Sequence, residues 1–343
     1  MLEEHPGRIS VNALFEQLRD PLQLVWVAGR RGGERCLETL HWTEQGASPA
    51  TSHELPRTTL VGPLNFIHPN LVQVLGAAEL HYLEQHCAGK AERLAQQLFV
   101  PSLVALVIGE GRPAPDFLLE AANAAEFPVF SSSLPAPYLV ARIQYFLSRL
   151  LAERETRHGV FMDVLGMGIF LMGESGIGKS ELALELLSHG HRLIADDAVE
   201  FARTAPDVIV GSCPPAIQDY LEVRGLGIIN IRDMFGTAAI LRSKRLRLAV
   251  ELKRMTVADM AGIDRLRGAV GELPILGVSI PRITLPVMPG RNLAVLVEVA
   301  ARSQFLKESG VDTLAQFEAQ LHRSMIPADA APGTLPTIPN SGD

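Results

Sequence analysis

Cysteine is scarce. The three that occur, Cys36, Cys87 and Cys213, stand far apart and at no metal-ligand spacing. This argues against a site built on thiolates and leaves plain reduced thiols of a cytoplasmic protein as the expectation. Net positive charge is also missing. The formal charge is −7, so nucleic acid is a poor default partner. No apolar run is long enough to span a bilayer; the longest, residues 293–301, is short and holds Glu298. The start, Met1-Leu2-Glu3-Glu4-His5-Pro6, has neither a basic nor an apolar region, so no secretory signal is expected there. His68, His81 and His86 have no Cys or acidic partner at ligand spacing and read as ordinary histidines.

What is present fits a globular α/β protein. A chain of 343 residues accommodates two domains, and 47% hydrophobic with 20% charged residues can bury real cores. Residues 10–18 predict a short helix capped by Ser10. Strands are expected over 24–29, 72–76 and 103–108 and from Val129 onward, with a loop or short strand at 59–63. Helices are expected over 77–87, 90–97 and 114–126. This alternation predicts a small α/β domain over residues 1–132 with a mostly parallel sheet. No chemistry is assigned to it. Gly29-Arg30-Arg31-Gly32-Gly33 has the composition of an anion loop, but no helix start follows it and an exposed turn is the preferred reading.

Ser131-Ser132-Ser133-Leu134-Pro135-Ala136-Pro137 marks the junction. Leu139, Ile143, Phe146, Leu147, Leu150 and Leu151 then form one helical face, read as a helix that joins the domains. The second domain is expected over 133–326. Its helix at 304–320 carries Phe305, Leu306, Leu314 and Phe317. Residues 327–343, rich in Pro, Ala, Gly and Thr, are expected to be a disordered tail.

Gly173-Glu174-Ser175-Gly176-Ile177-Gly178-Lys179-Ser180 fits the phosphate-cradling pattern G-x-x-x-x-G-K-[ST]. An apolar strand precedes it and a helix pattern follows, which is the context the motif needs. The glycines let backbone N–H groups face phosphate oxygens, Lys179 supplies charge to the β/γ-phosphates, and the Ser180 hydroxyl suits Mg²⁺. Gly190 suits the helix C-terminal cap. Upstream, residues 157–165 read as a strand and Gly166-Met167-Gly168 as a tight turn. The resulting hairpin predicts a partly antiparallel sheet. Downstream, Leu193-Ile194-Ala195 is a short strand with Asp196 and Asp197 at its end, where a phosphoryl-transfer enzyme wants acids.

With these residues in view, the sequence resembles the HPr kinase/phosphorylase family. The resemblance rests on the P-loop with Glu181 and on His191-Arg192-Leu193-Ile194-Ala195-Asp196-Asp197. It extends through Leu221-Glu222-Val223-Arg224-Gly225-Leu226-Gly227-Ile228-Ile229-Asn230 and Pro286-Val287-Met288-Pro289-Gly290-Arg291-Asn292-Leu293-Ala294. It covers most of residues 155–305; the N-terminal half matches only in general character. It implies a cytoplasmic, hexameric enzyme whose second domain is of the phosphoenolpyruvate-carboxykinase-like type with a mixed sheet. That enzyme phosphorylates a regulatory serine of the carrier protein HPr with ATP or pyrophosphate. It also removes the phosphate by attack of inorganic phosphate, releasing pyrophosphate.

Residue by residue, Asp197 matches the proton acceptor of the forward reaction and donor of the reverse, and His158 a second active-site position. Lys179 matches the phosphate-binding lysine, Arg265 a catalytic arginine, and Ser180 and Glu222 the Mg²⁺ positions. Residues 221–230 match a segment needed in both directions, and 286–291 a segment tied to phosphorolysis. The C-terminal helix matches one that contacts HPr and neighbouring subunits. Met288 stands where the family often has a basic residue. The basic stretch Arg242-Ser243-Lys244-Arg245-Leu246-Arg247 reads as a solvated strand face rather than a docking site for an acidic partner. Two rival readings are a P-loop ATPase switch, which needs a residue that positions water, and a non-catalytic ATP sensor, against which intact Lys179, Ser180 and Asp197 argue.

Overall fold

A computed structural model describes residues 8–38, 60–65, 70–87, 98–255 and 269–325. The helix expected over 90–97, His68 and the tail 327–343 lie outside them. The chain divides into two compact units. One comprises Met1–Thr156, Glu200–Val210 and Ile275–Val278; the other comprises Arg157–Val199, Gly211–Pro274 and Ser279–Asp343. Among the described residues no helix is long and apolar enough to cross a membrane.

The first unit is built on a five-stranded sheet in the order Val25–Ala28, Val129–Ser131, Ala105–Ile108, Val72–Leu75, Val61–Pro63. The last four strands are parallel and the first is antiparallel. Val72–Leu75 and Ala105–Ile108 are buried at every position, so both faces need cover. Val72, Val74, Ala105 and Val107 face the helices Val11–Leu18 and Ala136–Leu150. Leu75, Leu106 and Ile108 face Ala77–Cys87 and Asp116–Ala124. The junction helix therefore sends Leu139, Ile143 and Leu147 into this core. Ser10 caps the first helix, its Oγ accepting from the Ala13 N–H at 3.2 Å.

The glycine–arginine stretch is not an exposed turn. Arg30–Glu34 is a 3₁₀ helix in which Gly32 and Gly33 are buried. A Cβ on Gly32 would lie 2.0 Å from the Glu126 carbonyl oxygen, so glycine is required by close backbone approach. The arginines are engaged locally: Arg31 pairs with Glu126 at 3.4 Å and Arg30 lies 6.0 Å over the Trp26 ring. Gly32→Ala is expected to lower the urea midpoint by an amount equivalent to about 1–3 kcal/mol, with the denaturant slope unchanged. An unshifted midpoint in a chemical denaturation series would contradict this packing role.

In the second unit the expected hairpin is present. Val160–Val164 pairs antiparallel with Met167–Gly173. The turn is Leu165-Gly166, with φ of 54° and 83°, the two positive values that a two-residue hairpin loop demands. Met167 and Gly168 already belong to the strand. The single strand expected over 157–165 is divided at Gly159, where a Cβ would come 2.4 Å from the Phe170 ring. Val160–Val164 also pairs antiparallel with Arg192–Ala195 on its other side. Met167–Gly173 is parallel to Ser243–Arg254, which is parallel to Val278–Val287. Four strands thus share one direction and open their C-terminal ends at one edge, the usual ligand edge of such a sheet. Helix Lys179–Ser188 buries Leu182, Ala183, Leu186 and Leu187 on this sheet, and helix Leu293–Glu308 buries Ala294, Val297 and Ala301 in the same core.

The basic stretch 242–247 is largely paired within the unit rather than freely solvated. Lys244 lies 3.6 Å from Asp163 and Arg242 3.8 Å from Asp219; Arg247 pairs with Glu308.

Candidate active site

The strand Met167–Gly173 delivers the glycine loop to the shared edge. Gly173, Gly176 and Gly178 all have positive φ, at 147°, 73° and 107°. These values turn successive amides toward the loop interior. Ile177 is 5% exposed and anchors the loop in the core. Lys179 opens the helix and folds back, its Nζ donating to the carbonyls of Gly173 at 2.9 Å and Glu174 at 3.1 Å. The ammonium is thereby held against the loop, with a third hydrogen left to direct at phosphate. From the neighbouring strand, Arg254 donates to the Gly176 carbonyl at 3.3 Å and braces the loop from outside.

Arg192–Ala195 ends at the same edge and places the acid pair there. The two acids have different environments. Asp196 is 6% exposed. Its Oδ1 accepts from the Ser180 hydroxyl at 3.4 Å and its Oδ2 from the Glu222 N–H at 2.9 Å. Burial is the largest cause that raises its pKa above the ordinary aspartate value, and the bonds from Glu222, Asp197 and Ser180 oppose it. Asp197 points outward, with its side chain 71% exposed, and accepts from His158 Nδ1 at 2.9 Å. Its φ is 65°, and the Ala198 N–H closes on the Asp196 carbonyl at 2.8 Å. Asp197 is therefore the central residue of a γ-turn of the rare positive-φ kind, a conformation that proteins keep at functional positions. The Gly159 N–H donates to the Asp197 carbonyl at 3.1 Å, which fixes the turn beside His158.

Tyr220–Val223 pairs antiparallel with Gly227–Asn230. Alternation decides the roles on this ribbon: Leu221 and Val223 are buried in the core, whereas Glu222 and Arg224 face a cleft. That cleft, of about 300 Å³, is lined by His158, Ser175, Gly176, Gly178, Lys179, Ser180, Glu181, Asp196, Asp197, Glu222 and Arg224. It brings together His158, Lys179, Ser180, Asp197 and Glu222 from the sequence-derived set. Leu226 and Ile228 of the ribbon are exposed.

The segment 286–291 is absent from the walls of that cleft but begins at the same sheet edge. Pro286 and Val287 end the strand that pairs with Lys253 and Arg254. A turn follows, with Arg291 N–H donating to the Met288 carbonyl at 3.4 Å and Gly290 at φ 81°. Asn292 caps the next helix, accepting from the Val295 N–H at 2.9 Å. Arg265 lies outside the described residues.

Asp196 and Glu181 line the cleft and Arg254 bonds its glycine loop, although none of the three is among the individually assigned site residues read from the sequence; Arg224, which also lines the cleft, is within the 221–230 segment read there. Asp196 was within reach as the first of an acid pair. Arg254 was not, because its approach to Gly176 depends on the pairing of Leu252 with Gly173. The residues present fit Mg²⁺. Ser180, Asp196 and Glu222 all line the cleft and offer hard oxygen atoms, and the buried carboxyl of Asp196, which accepts from the Ser180 hydroxyl, is the kind of group whose charged form a cation favours. Among the described residues no group of three or more His, Cys, Asp and Glu is disposed to hold a metal. A magnesium site needs no such group, because the ion uses one or two protein carboxylates together with phosphate oxygens and water.

Two family models match the chain. One is described as the HPr Serine kinase N terminus and matches residues 9–147; the other is the HPr Serine kinase C-terminal domain and matches residues 149–321. The match thus extends through the N-terminal half, where the resemblance read from the motifs was only general. The chain is 45% identical over 313 residues to the HPr kinase/phosphorylase of Xanthomonas axonopodis pv. citri (strain 306), covering 91% of this chain and 96% of that protein. The same figures hold for the HPr kinase/phosphorylase of Xanthomonas euvesicatoria pv. vesicatoria (strain 85-10). A solved structure, the Hpr(Ser) kinase/phosphatase from Coxiella burnetii, is 32% identical, with a TM-score of 0.42, covering 50% of this chain and 99% of that one.

Proposed function

The chain belongs to the HPr serine kinase family, and we infer that it phosphorylates a regulatory serine of the phosphocarrier protein HPr and also reverses that modification by phosphorolysis. The observation that carries this reading is the exposed Asp197–His158 pair at the mouth of a P-loop cleft, 2.9 Å apart. An outward-facing base is placed for a hydroxyl brought in on another protein. In the forward direction the serine hydroxyl attacks the terminal phosphoryl group of ATP or pyrophosphate, and Asp197 accepts the hydroxyl proton as the serine–phosphate bond forms and the phosphoanhydride bond breaks, releasing ADP or inorganic phosphate respectively. In reverse, inorganic phosphate attacks the phosphoserine phosphorus, pyrophosphate forms, and the Asp197 carboxyl returns a proton to the departing serine oxygen. His158 orients the carboxylate through its Nδ1–H. Lys179 and the loop amides hold the phosphate chain, and Arg265 is assigned to the transferring group. Ser180 and Glu222, with Asp196 between them, are the residues to hold Mg²⁺. When bound, that ion would neutralise negative charge on the phosphate chain as the phosphoryl group is transferred. We place the enzyme in the cytoplasm as a homohexamer, on family resemblance.

The test is incubation with HPr, Mg²⁺ and ATP, then a chase with inorganic phosphate. Phosphoserine gained and then lost with pyrophosphate release is the expected result; a chase that yields only orthophosphate would reject phosphorolysis. Met288 adds a second expectation. Met288→Arg introduces a charge into the 286–291 turn and is expected to lower the KM for phosphate by about threefold to tenfold, the size of one charge-assisted contact. Forward kinase rates should stay within about twofold. Equal changes in both directions, measured by steady-state kinetics, would remove the segment from phosphorolysis.

A further inference from the structure

The P-loop helix ends in a fixed closure. The Gly190 N–H donates to Leu187 O at 2.9 Å and the His191 N–H to Leu186 O at 3.1 Å, with Gly190 at φ 88°. This is the two-bond Schellman pattern. It sets His189 and His191 on either side of Gly190, and both rings reach one oxygen of Glu298. His189 Nδ1 lies 2.8 Å and His191 Nε2 2.9 Å from Glu298 Oε1. His191 is buried, its side chain 8% exposed. A carboxylate oxygen accepts only, so both imidazoles donate to it. The same bonds, that from His191 first and that from His189 second, hold the Glu298 carboxyl below its ordinary value. A carboxylate opposite a helix C-terminus is repelled by the helix dipole, and two interposed donors reverse that repulsion.

Glu298 stands on helix Leu293–Glu308, beside Val297, which packs into the core shared with the P-loop helix. That second helix begins at the Asn292 cap, directly after the 286–291 turn. The P-loop helix begins at Lys179, inside the phosphate loop. The trio therefore ties together two helices, one starting inside the phosphate loop and the other directly after the segment assigned above to phosphorolysis.

We infer that Glu298 is a positioning residue which, through His189 and His191, holds the phosphate loop and the 286–291 segment at one fixed separation. This inference rests on the function proposed above. Phosphorolysis requires inorganic phosphate in line with the phosphoserine, so it depends on that separation more than nucleotide binding does.

Glu298→Ala and Glu298→Gln in the full chain test it. In Glu298→Ala the Arg291 and Val295 amides are expected to exchange hydrogen at least about tenfold faster. The phosphorolysis kcat is expected to fall about tenfold while the KM for ATP stays within about twofold. Glu298→Gln keeps an acceptor oxygen in place and should restore both readouts. Unchanged amide exchange in Glu298→Ala would overturn the inference, as would faster exchange spread evenly over the unit or a glutamine variant no better than alanine. A wild-type enzyme without phosphorolysis would overturn the proposed function instead, and the exchange readout still decides the role of Glu298.

Discussion

Asp197→Ala will bind ATP within about twofold of wild type yet lose about 10²–10⁴-fold in phosphoryl transfer in both directions, the range of a general acid–base group. The side chain is 71% exposed and supports no packing, so its removal leaves the nucleotide cradle in place. Its backbone does matter. At φ 65° an aspartate is tolerated better than an alanine, because its short polar side chain suits the left-handed region. Asp197→Asn separates the two effects. Asparagine keeps that tolerance and the shape but cannot accept the serine proton, so it should lose transfer as fully as alanine. His158→Ala should cost less, about tenfold, since it removes an orienting bond and leaves the base. Single-turnover transfer to HPr alongside equilibrium ATP binding checks all three. Kinase activity near wild type in Asp197→Asn would sink the assignment of the base.

The reading of the sequence succeeded where chemistry is local. The P-loop, its helix and the Gly190 cap lie within one short stretch, and each is dictated by neighbours a few residues away. The hairpin before it was legible for the same reason. Asp196 and Asp197 were legible as an acid pair with Asp197 singled out by resemblance, but their different environments were not. Their difference comes from the Glu222 N–H, which reaches Asp196 Oδ2 across a long sequence separation at 2.9 Å. Arg254 and the Glu298 trio were hidden likewise, because parallel pairing of Met167–Gly173 with Ser243–Arg254 and packing of the two helices supply those contacts. The glycines at 29–33 misled for a different reason. They read as an exposed turn, but their cause is close packing against Phe127, Glu126 and Asn12, which no local pattern announces. The acidic total charge fits a partner recognised at one serine rather than along a charged polymer.

Lys179→Met provides the complementary expectation, because it removes charge from the cradle while keeping most of the apolar stem. Lys179 is 8% exposed, and its Nζ bonds both Gly173 and Glu174 carbonyls. Methionine fills the volume but leaves those carbonyls without a donor and the phosphates without a cation. Transfer in both directions is expected to fall about 10²–10³-fold, the loss seen when one preorganised donor to developing charge is removed. Unlike Asp197→Asn, the variant should also bind ATP at least about tenfold more weakly, because the lysine contacts ground state and transition state alike. Isothermal titration with ATP, paired with single-turnover transfer, distinguishes the two residues. If Lys179→Met bound ATP normally and lost only transfer, the lysine would be acting solely on the transition state. If Asp197→Asn lost binding as well, the acid would belong to the nucleotide cradle. With the expected outcomes, the two substitutions would divide the cleft into a part that holds phosphate and a part that moves a proton, with the γ-turn at Asp197 as the boundary.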